Sequence, residues 1–315
     1  MANMADASIR AMAAATGSGE RGACLFVLDE NGILSFTEQE QPGGYWQVWQ
    51  GPSFGGQPVP GALLACAGQN VGRLMLALLD EAGKVWTMAQ GHEDGGWGGW
   101  EQPGISSQAQ SWTALAAGQL SGPRGIALMA ADDKGQVWVC YQMNPGADWS
   151  GWSTGLAVRS GGQPFAAEAL ALADQGNGKL ILFALAKGRV AAMAQDINDL
   201  WGAWSPLGLA GQPTDLKAIC ACGQSGGGAQ LWGLDAHGIV CTVAQQGAGG
   251  PWGQWQGPAF ADQPEPFVRI AAADQNDGWT GLIGAGEGGS LWTIAQTPPA
   301  GEWGPWKALA APPPT

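Results

Sequence analysis

GKVWTMAQGHEDGGWGGW, residues 83–100, contains the two elements that return along the whole chain: a Gly-initiated run ending in Gln, then a Trp-x-x-Trp pair. The pairs are Trp46/Trp49, Trp97/Trp100, Trp149/Trp152, Trp201/Trp204, Trp252/Trp255 and Trp303/Trp306. Their first members lie 51, 52, 52, 51 and 51 residues apart. A constant period of this length marks a repeat architecture in which each unit is one supersecondary element. The Gln-terminated runs keep step: GILSFTEQ (32–39), GKVWTMAQ (83–90), GQVWVCYQ (135–142), GRVAAMAQ (188–195), GIVCTVAQ (238–245) and GSLWTIAQ (289–296).

Ahead of each run stands a polar turn such as DENG, DEAG, DDKG or DAHG, and before it an apolar run such as ACLFVLD or RLMLALLD. Apolar run, short Gly turn and second apolar run form a hairpin signature. Further upstream lies a stretch of small residues, for example LLACAG, ALAAG or AICACG, suited to a strand where backbones converge. Each repeat therefore reads as four short antiparallel strands, with the small-residue strand innermost and the tryptophan strand outermost. A longer connection, often holding Gln-Pro (Gln57-Pro58, Gln163-Pro164, Gln212-Pro213, Gln263-Pro264), leads to the next repeat. Six such units over 7–50, 51–101, 102–153, 154–205, 206–256 and 257–310 give an all-β, six-bladed β-propeller as one domain over residues 1–315. Whether the first and last blades exchange a strand is open at this level.

The abundance of glycine, 53 residues, fits many tight turns. The net charge is −13, and the 13 basic residues are scattered singly, so no basic patch offers itself to nucleic acid or an anionic membrane surface. The composition points to a neutral ligand. No apolar stretch reaches the roughly 18 residues of a membrane span, and the N-terminus lacks a basic and then apolar leader. The six cysteines (Cys24, Cys66, Cys140, Cys220, Cys222, Cys241) replace small apolar residues of sister repeats. They read as buried free thiols, which fit a reducing cytoplasm, with release from the cell left open.

The tryptophans admit two roles. Residues i and i+3 of a regular strand point to opposite faces, so one member of each pair is expected to wedge between blades. The other is expected to offer a flat indole platform on which a sugar ring can stack, with side-chain amides orienting the hydroxyls. A second indole position is occupied in three repeats only: Trp86, Trp138 and Trp292 stand where the others carry Ser35, Ala191 and Cys241. Either neighbours compensate for the lost volume, or these positions line pockets that differ between blades.

The W-G-x-W strand, the Gly hairpin turn and the G-x-V/L-W-x-x-x-Q run together resemble the tectonin-type β-propeller lectins, and are similar to the bacterial fucose-binding propeller lectins of the Photorhabdus kind. The resemblance covers essentially the whole chain, although six repeats depart from the seven of the bacterial group. It implies a multivalent lectin with sugar pockets between adjacent blades, recognising fucosylated or O-methylated glycans. It also implies that the six Trp-x-x-Trp pairs form these sites, with Trp86, Trp138 and Trp292 as second walls.

Catalytic signatures are lacking. His92 and His237 each sit in a Gly-rich turn, and no HExxH, Gly-x-Ser-x-Gly or Cys-x-x-Cys occurs. The carboxylates Asp29/Glu30, Asp80/Glu81 and Asp132/Asp133 recur at hairpin turns, which is turn chemistry and not an acid/base pair. The expectation is a non-enzymatic protein without metal or cofactor, whose partners are cell-surface or glycoprotein glycans and whose oligomeric state is undetermined. A protein-interaction propeller is the alternative.

Overall fold

The computed structural model describes residues 8–17, 21–69, 73–91, 96–104, 111–120, 125–154, 163, 165–206, 211–224, 227–275, 279–296 and 302–313. His92 lies outside these residues. Every regular element described is a strand, and among the described residues no helix is long and apolar enough to cross a membrane.

The strands form six antiparallel sheets, each from consecutive segments. The first holds β1 (Ile9–Thr16), β2 (Ala23–Asp29) and β3 (Leu34–Glu38). The second holds β4 (Gly61–Gln69), β5 (Arg73–Asp80) and β6 (Val85–Ala89), and the third β7 (Trp112–Gln119), β8 (Ile126–Asp132) and β9 (Val137–Gln142). The fourth contains β10 (Ala169–Asp174), β11 (Leu180–Ala186), β12 (Arg189–Ala194) and β13 (Ser205–Pro206). The fifth contains β14 (Ala218–Gly223), β15 (Ala229–Leu234) and β16 (Val240–Ala244). The sixth contains β17 (Phe267–Gln275), β18 (Trp279–Gly286), β19 (Leu291–Ala295) and β20 (Lys307–Leu309).

The fourth segment of each repeat is weaker than the sequence suggests. It is a short strand in the fourth and sixth sheets, and elsewhere it is held by isolated bridges such as Gln39–Trp46 and Phe36–Gln50. The first and sixth sheets each use their own segments, with no strand exchanged between them among the described residues.

The hairpins follow from local chemistry. Asp29 Oδ1 accepts from the backbone N–H groups of Asn31 and Ile33, and Asp80, Asp132 and Asp235 do the same in their own turns. Gly32 then takes φ 73°, which an L side chain rarely adopts, and a Cβ there would collide with Gly61. That closeness is used: Gly61 N–H donates to Gly32 O at 2.8 Å, so the turn of one sheet anchors the inner strand of the next. Ala167 to Gly135, Leu216 to Gly188 and Phe267 to Gly238 repeat the link.

The small-residue strands β1, β4, β7, β10, β14 and β17 lie side by side in that order, and β17 lies against β1. All six line one central channel, through Ala14, Cys66, Ala117, Leu172, Ala221 and Ala272 among others. Burial along β1 alternates residue by residue, as expected for a strand with one face to the channel and one against its neighbours. Thr16 Oγ1 donates to Asp274, joining first and last sheets at the channel mouth. Between adjacent sheets the second and third strands interdigitate in six apolar clusters, one per junction. All six cysteines are free, and they are buried or half-buried.

Candidate functional site

Both tryptophans of every pair face the same junction, that with the preceding sheet. Trp97 and Trp100 pack on the core between the first and second sheets, Trp149 and Trp152 between the second and third, and Trp201 and Trp204 between the third and fourth. Trp252 and Trp255, Trp303 and Trp306, and Trp46 and Trp49 continue the series to the sixth–first junction. This corrects the alternation expected for a regular strand. Gln39 pairs with Trp46 and Phe36 with Gln50, so three steps on β3 are matched by four on the tryptophan segment. The same three-to-four mismatch recurs in the other repeats, for instance Gln90–Trp97 against Thr87–Glu101. One extra residue is a β-bulge, and it inverts the parity of every side chain beyond it.

The Gln that ends the run is structural in the first five repeats. Gln39 Oε1 accepts from Ala23 N–H at 3.0 Å and Gln39 Nε2 donates to Gly44 O at 3.3 Å, tying the second strand to the turn ahead of Trp46. Gln90, Gln195 and Gln245 accept equivalent backbone bonds at 2.9 Å. Gln142 differs, because its Oε1 accepts from Gln69 Nε2 of the neighbouring sheet at 3.2 Å. Gln57, Gln163 and Gln263, of the Gln-Pro connections, likewise bind hairpin backbone. Amides expected to orient ligand hydroxyls are thus largely spent on the fold.

Trp86 and Trp138 are also tied down. Trp86 Nε1 donates to Asp80 Oδ2 at 2.9 Å and Trp138 Nε1 to Asp132 Oδ2 at 3.0 Å, the oxygens left over from the turn. In the sixth sheet Gly286 replaces the Asp, and Glu265 accepts from Trp292 Nε1 at 2.6 Å instead. Where the position is small, backbone fills the space: a Cβ on Gly51 would stand 2.8 Å from Ser35 Oγ, and one on Gly257 2.7 Å from Cys241 Sγ. His237 sits exposed in a turn closed by Asp235.

Inter-sheet cavities lie beside the pairs at the sixth–first and second–third junctions. At the sixth–first junction one of about 720 Å³ is walled by Tyr45, Trp46, Trp49, Gln47 and Lys307 and floored by Thr293 and Ala295. At the second–third junction one of about 530 Å³ is lined by Trp149, Gln69, Gln90, Arg73, Glu101 and Asp148, with Thr87 and Ala89 in the floor positions. The Nε of Arg73 is buried and has no hydrogen-bond partner among the described residues. Other repeats place different side chains there. At the first–second junction Phe36 replaces the Thr and stacks with Phe26 and Phe54 around Trp97. At the third–fourth, Tyr141 replaces the Ala, and its hydroxyl accepts from Trp201 Nε1 at 3.0 Å. In the fifth sheet Gln230 Nε2 reaches Thr242 Oγ1 at 3.1 Å.

Of the residues expected to bind sugar, Trp46, Trp49 and Trp149 line these two cavities. Trp86, Trp138 and Trp292 do not, and Trp152, Trp201 and Trp255 are buried in the junction cores. Residues the sequence reading passed over include Tyr45, 87% exposed on the cavity rim, and Trp112, whose ring lies tilted at 42° with its centroid 4.6 Å from that of Trp152. Trp232, fully buried beneath Trp303, was a third.

No protein-family model and no curated protein matches the chain. Solved structures do. The lectin of Aleuria aurantia, described as a six-bladed β-propeller with a fucose recognition mode, superposes with a TM-score of 0.66 at 17% identity over 98% of this chain and 96% of its own. AofleA from Arthrobotrys oligospora gives 0.71 at 12% identity, over 98% and 89%. A lectin from Burkholderia pseudomallei gives 0.60 at 18%, over 96% and 84%. At these identities the likeness is one of fold: the chain has the architecture of the six-bladed β-propeller lectins.

Proposed function

We propose that the protein is a multivalent lectin that binds glycans, fucosylated or O-methylated ones among them, in tryptophan-walled cavities between adjacent sheets. It is related in kind to the tectonin-type propellers. The observation that carries this reading is the bulge that turns both indoles of each pair onto one junction. At the sixth–first junction this leaves Trp46 and Trp49 beside an open cavity with the exposed ring of Tyr45 at its rim. Aromatic faces combined with polar rims match the apolar faces and hydroxyl edges of sugars. The fucose recognition described for the lectin of Aleuria aurantia supports the ligand class. Cavities at two junctions make binding at least bivalent, and linking weak sites raises apparent affinity by about 10² to 10⁴ on a glycan-dense surface.

The test is a glycan array containing fucosylated and O-methylated sugars, followed by tryptophan-fluorescence titration of each hit with wild type, Trp49→Ala and Trp149→Ala. Saturable binding weakened by either change supports the lectin. Folded protein that binds no glycan would instead favour the protein-interaction scaffold.

A further inference from the structure

The residue that follows each Trp-x-x-Trp pair faces the opposite junction from the tryptophans, because it comes one step later. Its cross-strand partner confirms the direction. Lys307 pairs with Thr293, and both line the sixth–first cavity, while Glu101 pairs with Thr87 and both line the second–third cavity. Side chains directly opposite in an antiparallel pair share a face. The corresponding described side chains are those of Gln50, Ser153 and Gln256, and the fourth repeat carries Ser205 at this place in the sequence. One position per repeat therefore sets the charge presented to the next junction, and only the sixth repeat places a cation there.

From this geometry we infer that the sixth–first cavity selects acidic glycans, sugars carrying a carboxylate or a sulfate ester, and that Lys307 is the residue that selects them. The inference rests on the lectin reading and names a ligand class for one of its sites. Lys307 is exposed and makes no ion pair among the described residues, so its ammonium is available to a ligand. No carboxylate lines this cavity among the described residues, and the other lining groups are neutral amides, hydroxyls, aromatic rings, aliphatic side chains and backbone. The chain's net charge of −13 does not cancel the effect. Screening limits distant carboxylates to about 8 Å at physiological ionic strength, whereas a bound anion would sit against the ammonium itself. In the second–third cavity Glu101 and Asp148 accompany Arg73, so that cavity offers no comparable excess of positive charge.

The experiment compares methyl glucuronide with methyl glucoside, and a 6-sulfated galactoside with its unsulfated parent, by fluorescence or calorimetric titration at physiological ionic strength. Wild type should prefer one or both acidic probes over the neutral counterpart by about tenfold, roughly 1.4 kcal/mol. Which pair shows the preference distinguishes carboxylate from sulfate. Lys307→Gln should abolish the preference, Lys307→Glu should invert it, and Trp49→Ala should remove acidic binding while leaving the second–third site intact. Trp49-dependent binding of neutral sugars with no acidic preference, or a preference that survives Lys307→Gln, overturns this inference and leaves the lectin standing. No Trp49- or Trp149-dependent binding of any sugar overturns both.

Discussion

Trp138 and Asp132 share one carboxylate between two tasks: Oδ1 closes the hairpin turn by accepting from the Lys134 and Gln136 N–H groups, while Oδ2 accepts from the indole of Trp138 at 3.0 Å. Asp80 and Trp86 repeat the arrangement. The indole thereby locks the turn onto the third strand.

Trp138 should accordingly behave as a stability residue. Trp138→Ala is expected to lose about 3 kcal/mol, the low end for truncating a large aromatic, because the ring is only half-buried. Denaturant unfolding measures this, and sugar titration of the folded variant should match wild type. Loss of binding with unchanged stability would place Trp138 in a site instead.

The Gln buried at the end of the first five runs predicts a second stability effect. Gln245→Leu leaves the Ala229 N–H and the Gly250 carbonyl without the partners they now have at 2.9 and 3.4 Å. An orphaned buried group costs about 1–3 kcal/mol, so the unfolding midpoint should fall by that equivalent. An unchanged midpoint would show that water replaces the amide.

Filling a cavity floor should silence one site. Thr293→Phe copies the side chain that Phe36 places at the first–second junction, and it should abolish Trp49-dependent glycan binding. Trp149-dependent binding should survive. Fluorescence titration of the variant against wild type separates the two.

The thiols predict an alkaline response. Burial pushes Cys24 up to about 12, opposed by the Arg21 charge, and pushes Cys241 up to about 11, aided by the carboxylates of Asp235 and Asp215. A group whose folded pKa lies above its unfolded value of 9.0 stays protonated when folded and ionises when unfolded. Stability should therefore hold below pH 9 and fall between pH 9 and about 12. A thiol-specific disulfide reagent should react slowly with native protein at pH 8 and rapidly after unfolding. Fast native labelling would show that these thiols are accessible.

Much of the fold was legible because its determinants are local. The Asp-x-x-Gly turns between apolar runs announce hairpins, and the recurring Trp-x-x-Trp pairs count the sheets. The reading of Trp46 and Trp49 as opposite-facing failed for a definite reason. Alternation assumes one residue per pairing step, and the extra residue between the Trp46 and Gln50 bridges is visible only against β3. The task of the glutamines was not legible either, since a residue repeated for binding and one repeated to tie backbone look alike in sequence.

The chain by itself determined the six repeats, the order of the first three strands within each, and the place of the turns between second and third strands, since turn hydrogen bonds and strand alternation act over a few residues. Only the tertiary structure decided which junctions are open. Thr87 and Trp149, or Thr293 and Trp46, come from different repeats and meet across a sheet boundary. The space between them depends on how much volume both sheets project into it. Phe36 and Tyr141 take up that volume at their junctions, whereas Thr293 and Thr87 leave it free, and with Lys307 and Glu101 facing inward the free space acquires its charge.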